Sequence, residues 1–290
     1  MEISNYLKKA YSGLVLPAAE MAAKTRPWCA VESGVQGDSV SFGYLGRFRL
    51  SPKKGQIAPT PWGDIKQLMY WANLVAYDGG LPLDKVVREA AFTDPQSDYV
   101  LKGRQAIGIQ HDEVVLKAAI SDATYGKDKE STEDWSAFTD RNTVSHVIAA
   151  AGGTPVLSDI RKMNRIFSEC GLGDEEKVLF HSPRFLETML SYAEVGSIDY
   201  NAVRALYEGK VTRYGGFEWV ETNSLYKNGT TVSHVAMCKG TVGLGIGIDQ
   251  FIDVDVHKEM SYMVGAYFLT NLGAVRRDPE RVIEYQTTEA

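Results

Sequence analysis

The chain has 290 residues, of which 44% are hydrophobic and 23% are charged, and its formal net charge is −6. This composition is typical of a globular protein with a sizeable core and excludes a disordered chain, and the acidic balance excludes a protein whose whole surface binds nucleic acid. No run of about 18 apolar residues and no signal-peptide pattern occurs, so we expect neither a membrane-spanning nor a secreted protein.

The first 78 residues predict an arm followed by a hairpin. Residues 1–30 contain a short predicted helix, ISNYLKKAY, and an irregular segment with Pro17 and Pro27. Its tyrosines and leucines have few apolar partners nearby in the sequence, which suggests an arm that docks on something else. Residues 31–78 are predicted to be β-rich and hairpin-like. Within them, residues 51–64 carry three prolines and two glycines, so we expect a projecting loop there.

A long helix is predicted over residues 94–126. Asp94 is its expected N-cap, with Pro95 at the first helical position, and Gly126 is the expected stop. Its apolar residues fall on two sides of the helical wheel: Val100, Ile107, Val114 and Ala118 on one, and Ile109, Leu116 and Ile120 on the other. A helix that is apolar on two sides is predicted to pack against more than one neighbouring element. Gly103 and Gly108 weaken it, so we allow a bend or a break there.

The second half of the chain mixes short helices with strands. Residues 127–155 are polar and loop-like, and residues 156–170 form an amphipathic helix that Gly171 ends. The predicted buried face of this helix consists of Leu157, Ile160, Met163, Ile166 and Phe167. A strand, KVLFHS, and a helix, PRFLETMLSYAEV, then form a local β-α unit. The rest is predicted to contain a short helix, a Gly-Gly turn and a β-rich run to the C-terminus.

The glycine-rich stretch GTVGLGIGID resembles a nucleotide-binding loop only superficially. Its glycines, Gly243, Gly245 and Gly247, alternate with aliphatic residues, and Ile248 stands where a further spaced glycine is required. The alternation predicts a strand that packs closely against another backbone. Such a strand does not open onto the helix N-terminus that would hold a pyrophosphate.

The remaining candidate residues lack the spacing of known sites. Histidines at positions 111, 146, 181, 234 and 257 match no metal motif, so we expect satisfied core or surface histidines. Three cysteines, Cys29, Cys170 and Cys238, match no zinc spacing and are expected to be free thiols.

Acidic, basic and turn motifs are equally unspecific. A DxxxDxD pattern, Asp249, Asp253 and Asp255, fits either a divalent ion or a solvated strand edge. The basic pairs are scattered: Lys53-Lys54, Arg161-Lys162 and Arg276-Arg277. Asn228-Gly229-Thr230 is expected to be a hairpin turn rather than a glycosylation site. We therefore predict no enzyme, no catalytic, cofactor-binding or metal-binding residues, and no cofactor.

Several stretches in succession resemble the major capsid proteins of tailed bacteriophages with the Hong Kong 97-type fold. They cover most of the chain from residue 31 onward, and their order and spacing carry the resemblance: VESGVQGDSVSFGYLGRFRL, PTPWGDIKQLMYWANLVAYD, FTDPQSDYVLKGRQAIGIQHDEVVLKAAISDATYG, FHSPRFLETMLSYAEVGSIDYNAVRALYEGKVTRYGGFEWVETNSL and KGTVGLGIGIDQFIDVDVHKEMSYMVGAYFLTNLGAVRRDPERVIEY.

The resemblance implies an α+β fold whose domains are discontinuous in sequence. It implies an N-terminal arm at 1–30 and an extended loop with flanking strands at 31–78. The peripheral domain would comprise 79–126 and 249–274, with a spine helix at 94–126 and a β-sheet. The axial domain would comprise 127–248 and 275–290. Lys53 and Lys54 lie near the supposed loop tip, where some relatives form a crosslink, but no matching partner motif occurs in this sequence.

The resemblance also implies function and partners. The chain would self-assemble, as hexamers and pentamers, into the icosahedral head shell that encloses the double-stranded DNA genome without sequence-specific binding. Scaffolding, portal and possible decoration proteins would be partners, and assembly would take place in the host bacterial cytoplasm. We also expect a bistable spine helix and a mobile loop to let the shell expand. Two alternatives are an encapsulin-like nanocompartment, with the same fold around protein cargo, and an α+β enzyme, for which the sequence nominates no pocket.

Overall fold

The computed structural model describes residues 23–48, 50, 65–83, 96–191, 213–257 and 263–289. Within these ranges the chain is a mixed α+β protein with three β-sheets and three α-helices. The fold class therefore agrees with the sequence-based prediction. None of the helices in the described part of the chain has the length and apolar character that crossing a membrane requires.

The first sheet is built on two long strands near the C-terminus. Its four strands lie in the order β1 (Ala30–Ser33), β13 (Val242–His257), β14 (Met263–Arg276) and β4 (Val75–Leu83). The β13–β14 and β14–β4 pairs are antiparallel, whereas β1 runs parallel to β13. The β13–β14 register shifts between residues 246 and 251, which marks a β-bulge in the long strand.

The long helix α1 (Gln96–Ile120) packs against this sheet. It is unbroken at Gly103 and Gly108, so the break that the sequence allowed there does not occur. Both glycines instead allow close packing. A Cβ on Gly103 would lie 1.9 Å from a ring carbon of Phe268, and one on Gly108 would lie 3.3 Å from Ala23 Cβ.

The predicted end of this helix is wrong: α1 ends at Ile120 and not at Gly126. The buried Arg276 guanidinium donates hydrogen bonds to the carbonyls of Ala119 and Ser121 at 2.9 and 2.8 Å, which satisfies acceptors at the end of the helix. The next residues form strand β5 (Ala123–Tyr125) instead. The expected cap, Asp94, and Pro95 lie outside the described residues.

The second sheet contains the strands of the predicted β-α unit and the C-terminal strand. Its order is β7, β15, β12, β8, β10 and β9, and β11 pairs with β12. The bounds of these strands are β7 Val147–Ala149, β8 Lys177–His181, β9 Arg213–Tyr214, β10 Phe217–Glu221, β11 Lys227–Asn228, β12 Thr231–Cys238 and β15 Val282–Thr288. Strands β8 and β10 are parallel, as a β-α-β connection requires.

Two amphipathic helices accompany this sheet. The first, α2 (Leu157–Glu169), buries the five residues predicted for its face. The second, α3 (Pro183–Leu190), begins after Ser182, whose hydroxyl accepts a hydrogen bond from Phe185 N at 3.1 Å. The predicted helix runs to residue 195, but residues 192–212, including the predicted short helix, lie outside the described part. Gly215 and Gly216 form the predicted turn, with φ of +61° and +87°.

The third sheet is the predicted hairpin together with two short strands. Its order is β2 (Ser39–Leu45), β3 (Gln67–Asn73), β5 and β6 (Ser131–Glu133). One face of the β2–β3 pair is buried and includes Val40, Phe42 and Tyr70. The predicted projecting loop at residues 51–64 lies outside the described residues. Strands β6 and β7 interrupt residues 127–155, which were predicted to be loop throughout.

Residues 23–30, the described part of the predicted arm, contact other residues of the same chain. A short 3₁₀ helix, Arg26–Trp28, leads into β1, and Trp28 O accepts a hydrogen bond from Gly240 N at 2.8 Å. Lys24 and Thr25 bind Asp112 on α1. Docking on a neighbour therefore stays a prediction for residues 1–22, which lie outside the described part.

Candidate functional site

The glycine-rich stretch lies within strand β13, as predicted. A Cβ on Gly243 would lie 2.6 Å from the Phe42 ring, and one on Gly245 would lie 2.3 Å from Val40 Cγ1. The close neighbours are therefore mainly side chains of β2, rather than the backbone that the sequence suggested. The glycines bring two sheets together and form no phosphate-binding loop.

Three of the histidines, which were expected to be satisfied core or surface residues, are buried and have polar partners. His181 Nδ1 lies 3.0 Å from Ser182 O, and His234 Nε2 lies 2.8 Å from Thr287 Oγ1. His111 Nε2 lies 3.8 Å from Asp249 Oδ1 and 3.5 Å from Thr270 Oγ1. Burial lowers the pKa of all three imidazoles, and that of His234 falls to about 3. The side chain of His257 lies outside the described part.

The three carboxylates of the DxxxDxD pattern do not converge on one point. Asp253 and Asp255 are exposed on one face of β13, as a strand predicts. Asp249 lies at the β-bulge and accepts two hydrogen bonds from the Arg26 guanidinium at 3.0 and 3.2 Å. Within the described residues these carboxylates form no group at metal-binding distance.

The basic pairs do not form a phosphate-binding surface in the described part of the chain. Arg276 is fully buried, and its guanidinium lies 4.2 Å from the centre of the Trp135 ring. Arg161 and Lys162 are exposed on α2. The pair Lys53-Lys54 lies outside the described residues. Arg276 is therefore a structural residue that joins the end of α1 to the core.

One buried group of potential metal ligands was missed from the sequence. Asp140, His146 and Cys170 are 5%, 0% and 0% exposed, and one ligand atom from each lies within 4.8 Å of the others. Burial alone would raise the pKa of Asp140, but hydrogen bonds from Val144 N, the Cys170 thiol and Asn142 N outweigh it and lower that pKa. Burial raises the pKa of the Cys170 thiol to about 12.

The clearest surface feature is an exposed apolar face at the end of the β2–β3 hairpin where residues 46–66 connect the two strands, which we call the hairpin face. It consists of Leu45, Phe48, Leu50 and Met69, which are 69%, 52%, 88% and 51% exposed. Leu45 and Met69 lie on the same side of the hairpin, opposite to the buried side, because Met69 pairs with Gly43, two residues before Leu45. Several large exposed apolar side chains within one short stretch and its partner strand are typical of protein–protein contact surfaces.

A second exposed apolar pair lies on the first sheet. The rings of Phe251 and Tyr267 are 6.4 Å apart and roughly perpendicular, and they are 47% and 38% exposed. Tyr267 also lines a shallow groove together with Leu81, Pro82 and Asp253. The molecule therefore presents apolar surface on two different sheets.

Comparison with known families identifies the class of protein to which these surfaces belong. The profile of a family described as "Phage capsid protein" matches residues 8–289. The chain belongs to the phage capsid protein family. A search of curated proteins returned no significant match. The family match supports the predicted function, a major capsid protein that forms the head shell and resides in the virion, and the encapsulin-like alternative is not favoured.

Solved phage structures have the same fold. The chain is similar to "Capsid structure of the Cyanophage P-SCSP1u" with a TM-score of 0.72 and 14% identity over 97% of this chain and 93% of that one. It is also similar to "Mycobacterium phage Che8", with a TM-score of 0.69, 14% identity and 97% of each chain covered. For "Capsid of Ralstonia phage GP4" the TM-score is 0.69, with 12% identity over 98% and 96% of the two chains. The predicted Hong Kong 97-type fold is therefore confirmed, and self-association into a shell accords with this capsid protein family.

Proposed function

We propose that this phage capsid protein forms the hexamers and pentamers of an icosahedral head shell around the double-stranded DNA of a tailed phage. The observation that carries this is the hairpin face, an apolar surface that the described chain leaves in solvent. A closed shell of repeated contacts buries such a surface on every copy. Many contacts of modest area then stabilise the shell together.

We propose the following domain roles. Residues 79–126 and 249–274 form the peripheral domain, in which α1 is the spine helix, and residues 127–248 and 275–290 form the axial domain. The sheets support this division, because α1 packs on the first sheet, whereas α2, α3 and β15 belong with the second. The β-bulge between residues 246 and 251 coincides with the proposed boundary at 248/249. Residues 1–30 are the arm, and 31–78 are the extended loop.

The proposed partners of the shell are the DNA that it encloses and the other proteins of the phage head. The net charge of −6 suits a container that encloses DNA without sequence-specific binding, because strong attraction to the polymer would impede packaging and release. We propose that a separate scaffolding protein, a portal and possibly decoration proteins complete the head, and that assembly takes place in the host bacterial cytoplasm. The proposed role is structural and non-enzymatic.

Electron microscopy of the chain, expressed alone and with its neighbouring genes, tests this function. We expect uniform shells or capsomer rings. Leu45→Glu places a charge on the hairpin face and is expected to abolish rings and shells, while circular dichroism shows a folded chain. Leu101→Glu, the same change at an exposed leucine on α1, is the matched control and is expected to assemble. A monodisperse monomer under every condition would refute the shell, and normal assembly of Leu45→Glu would refute the role of the hairpin face.

A further inference from the structure

The group of Asp140, His146 and Cys170 is buried, shares no residue with the two exposed apolar surfaces and has no role in the assembly proposed above. Asp140 and His146 belong to the loop between β6 and β7, and Cys170 is the C-cap residue of α2. In the described part of the chain, this is the one set of three or more His, Cys, Asp or Glu side chains whose ligand atoms cluster at this distance.

The hydrogen bonding of His146 directs a nitrogen lone pair at Asp140. His146 Nδ1 lies 2.6 Å from Val282 O, and because a carbonyl only accepts, Nδ1 carries the proton of the neutral ring. Nε2 then has a free lone pair. This atom is buried without a hydrogen-bond partner and lies 3.8 Å from Asp140 Oδ2. Two acceptors that face each other in a buried place are costly unless a cation lies between them.

The other two side chains are also held in place. Asp140 Oδ1 accepts hydrogen bonds from Asn142 N and Val144 N, both at 2.8 Å, which leaves Oδ2 for the cluster. The Cys170 thiol lies 3.4 Å from Oδ2, and the backbone of Cys170 is fixed by an Arg47 guanidinium that donates to its carbonyl at 2.6 Å. All three ligand atoms are therefore positioned by contacts outside the cluster, as in built metal sites.

We propose that Asp140 Oδ2, His146 Nε2 and Cys170 Sγ bind one divalent cation of the zinc class. The Sγ–Oδ2 separation of 3.4 Å is that of neighbouring ligands on a tetrahedral ion with bonds of about 2.0 to 2.3 Å. The Nε2–Oδ2 separation of 3.8 Å is about 0.5 Å wider than such an ion requires, so the side chains move closer together when it binds. A mixed sulfur, nitrogen and oxygen donor set favours zinc over magnesium or calcium. A water molecule or a further group fills the fourth position of the ion.

Charge and protons balance in this site. The Cys170 thiol loses its proton to solvent when the metal binds, so that a thiolate and a carboxylate offset the two positive charges of the ion. The neutral His146 ring keeps the proton on Nδ1 and its bond to Val282. The ion would join the loop between β6 and β7, the end of α2 and, through His146, strand β15, and it would act as a structural clip because the ligands are buried.

Metal analysis of the purified shell or capsomers tests the site. The protein is prepared without chelators or a histidine tag, and metals are measured by mass spectrometry. We expect about one zinc per chain. Cobalt exchange is expected to give the absorption of a cobalt–thiolate bond, a readout that needs no variant and therefore does not depend on a variant folding. Protein that carries no zinc and shows no cobalt–thiolate absorption with excess Co²⁺ would overturn the proposal.

Matched variants then locate the ligands. Cys170→Ser and His146→Gln are expected to lower zinc affinity at least about tenfold. Cys238→Ser is the control, because Cys238 is a fully buried thiol in the same hydrophobic cluster as Cys170 but not a member of the ligand group. It is expected to retain zinc and the cobalt–thiolate band. Equal loss of metal in Cys238→Ser and Cys170→Ser, or full retention in Cys170→Ser, would contradict the assignment.

Discussion

The carboxylate of Asp112 on α1 holds Thr25 at the base of the N-terminal arm. Asp112 Oδ1 accepts hydrogen bonds from Thr25 N at 3.0 Å and from Thr25 Oγ1 at 2.7 Å. Both carboxylate oxygens also accept from Lys24 N at 3.0 Å. Asp112 is 2% exposed, so these charge-assisted bonds form away from water. They tie the arm to the helix proposed as the spine.

We expect Asp112→Asn to loosen the arm and to lower the free energy of unfolding by about 2 to 3 kcal/mol, because charge-assisted bonds are lost and one amide N–H faces a donor. Urea unfolding measures the loss, and trypsin is expected to cleave faster after Lys24. Asp249→Asn is the control, since the Arg26–Asp249 pair is exposed and is worth less than about 1 kcal/mol. Equal effects of the two variants would contradict this account of the arm.

The buried Arg276 is expected to be essential for stability. Arg276→Met leaves the Ala119 and Ser121 carbonyls without their donor and removes the stacking on Trp135, so we expect a loss of about 3 to 5 kcal/mol. Hydrogen exchange is expected to increase most at the end of α1. Arg277→Met provides the comparison, because its bonds to Gly240 O and Gly43 O are long, at 3.5 and 3.3 Å, and a loss below about 1 kcal/mol is expected. A small loss in Arg276→Met would show that the helix end needs no such cap.

The buried face of α2 could be predicted from the sequence, whereas the buried stripe of α1 could not, and the reason is physical. Helix α2 is apolar on one side only, so the helical period of its apolar residues is visible in the sequence. All five residues predicted for its buried face are buried. On α1 the buried stripe includes His111 and Asp112 among apolar residues such as Val115 and Ala119. Polar residues in the stripe obscured its period, because their partners, Thr25 and Thr270, lie far away in the sequence.

The buried ligand group escaped sequence analysis for a related reason. Asp140 and Cys170 are 30 positions apart, and their spacing with His146 matches no metal motif. Only the packing of α2 against the loop between β6 and β7 brings them together. The exposed hairpin face was not predicted either, although the alternation in β2 places an apolar Leu45 on the side opposite to Phe42.

Gly273 is expected to tolerate no side chain. A Cβ there would lie 2.1 Å from Asn73 O, and this backbone atom cannot move without displacing β3. We expect Gly273→Ala to cost about 3 kcal/mol in urea unfolding. Gly79→Ala is the matched control, because Gly79 also lies in the first sheet and a Cβ there meets nothing within 4 Å. Similar stability of the two variants would show that the sheets are less closely packed than the structure indicates.

Stability is expected to fall in acid through His234. Burial lowers its folded-state pKa from 6.5 to about 3, so between these values the unfolded chain binds one more proton than the folded chain does. The free energy of unfolding therefore falls by about 1.4 kcal/mol per pH unit as pH decreases through this window, with a further loss from His181, whose pKa is also lowered.

His234→Gln removes the titrating group and is expected to reduce the slope of stability against pH by that amount, measured by urea unfolding of the unassembled chain between pH 6 and pH 4. Thr287→Val removes the hydrogen-bond partner of His234 and leaves the ring, so it is expected to lower stability at every pH while keeping the slope. An unchanged slope in His234→Gln would mean that the acid sensitivity arises from other groups.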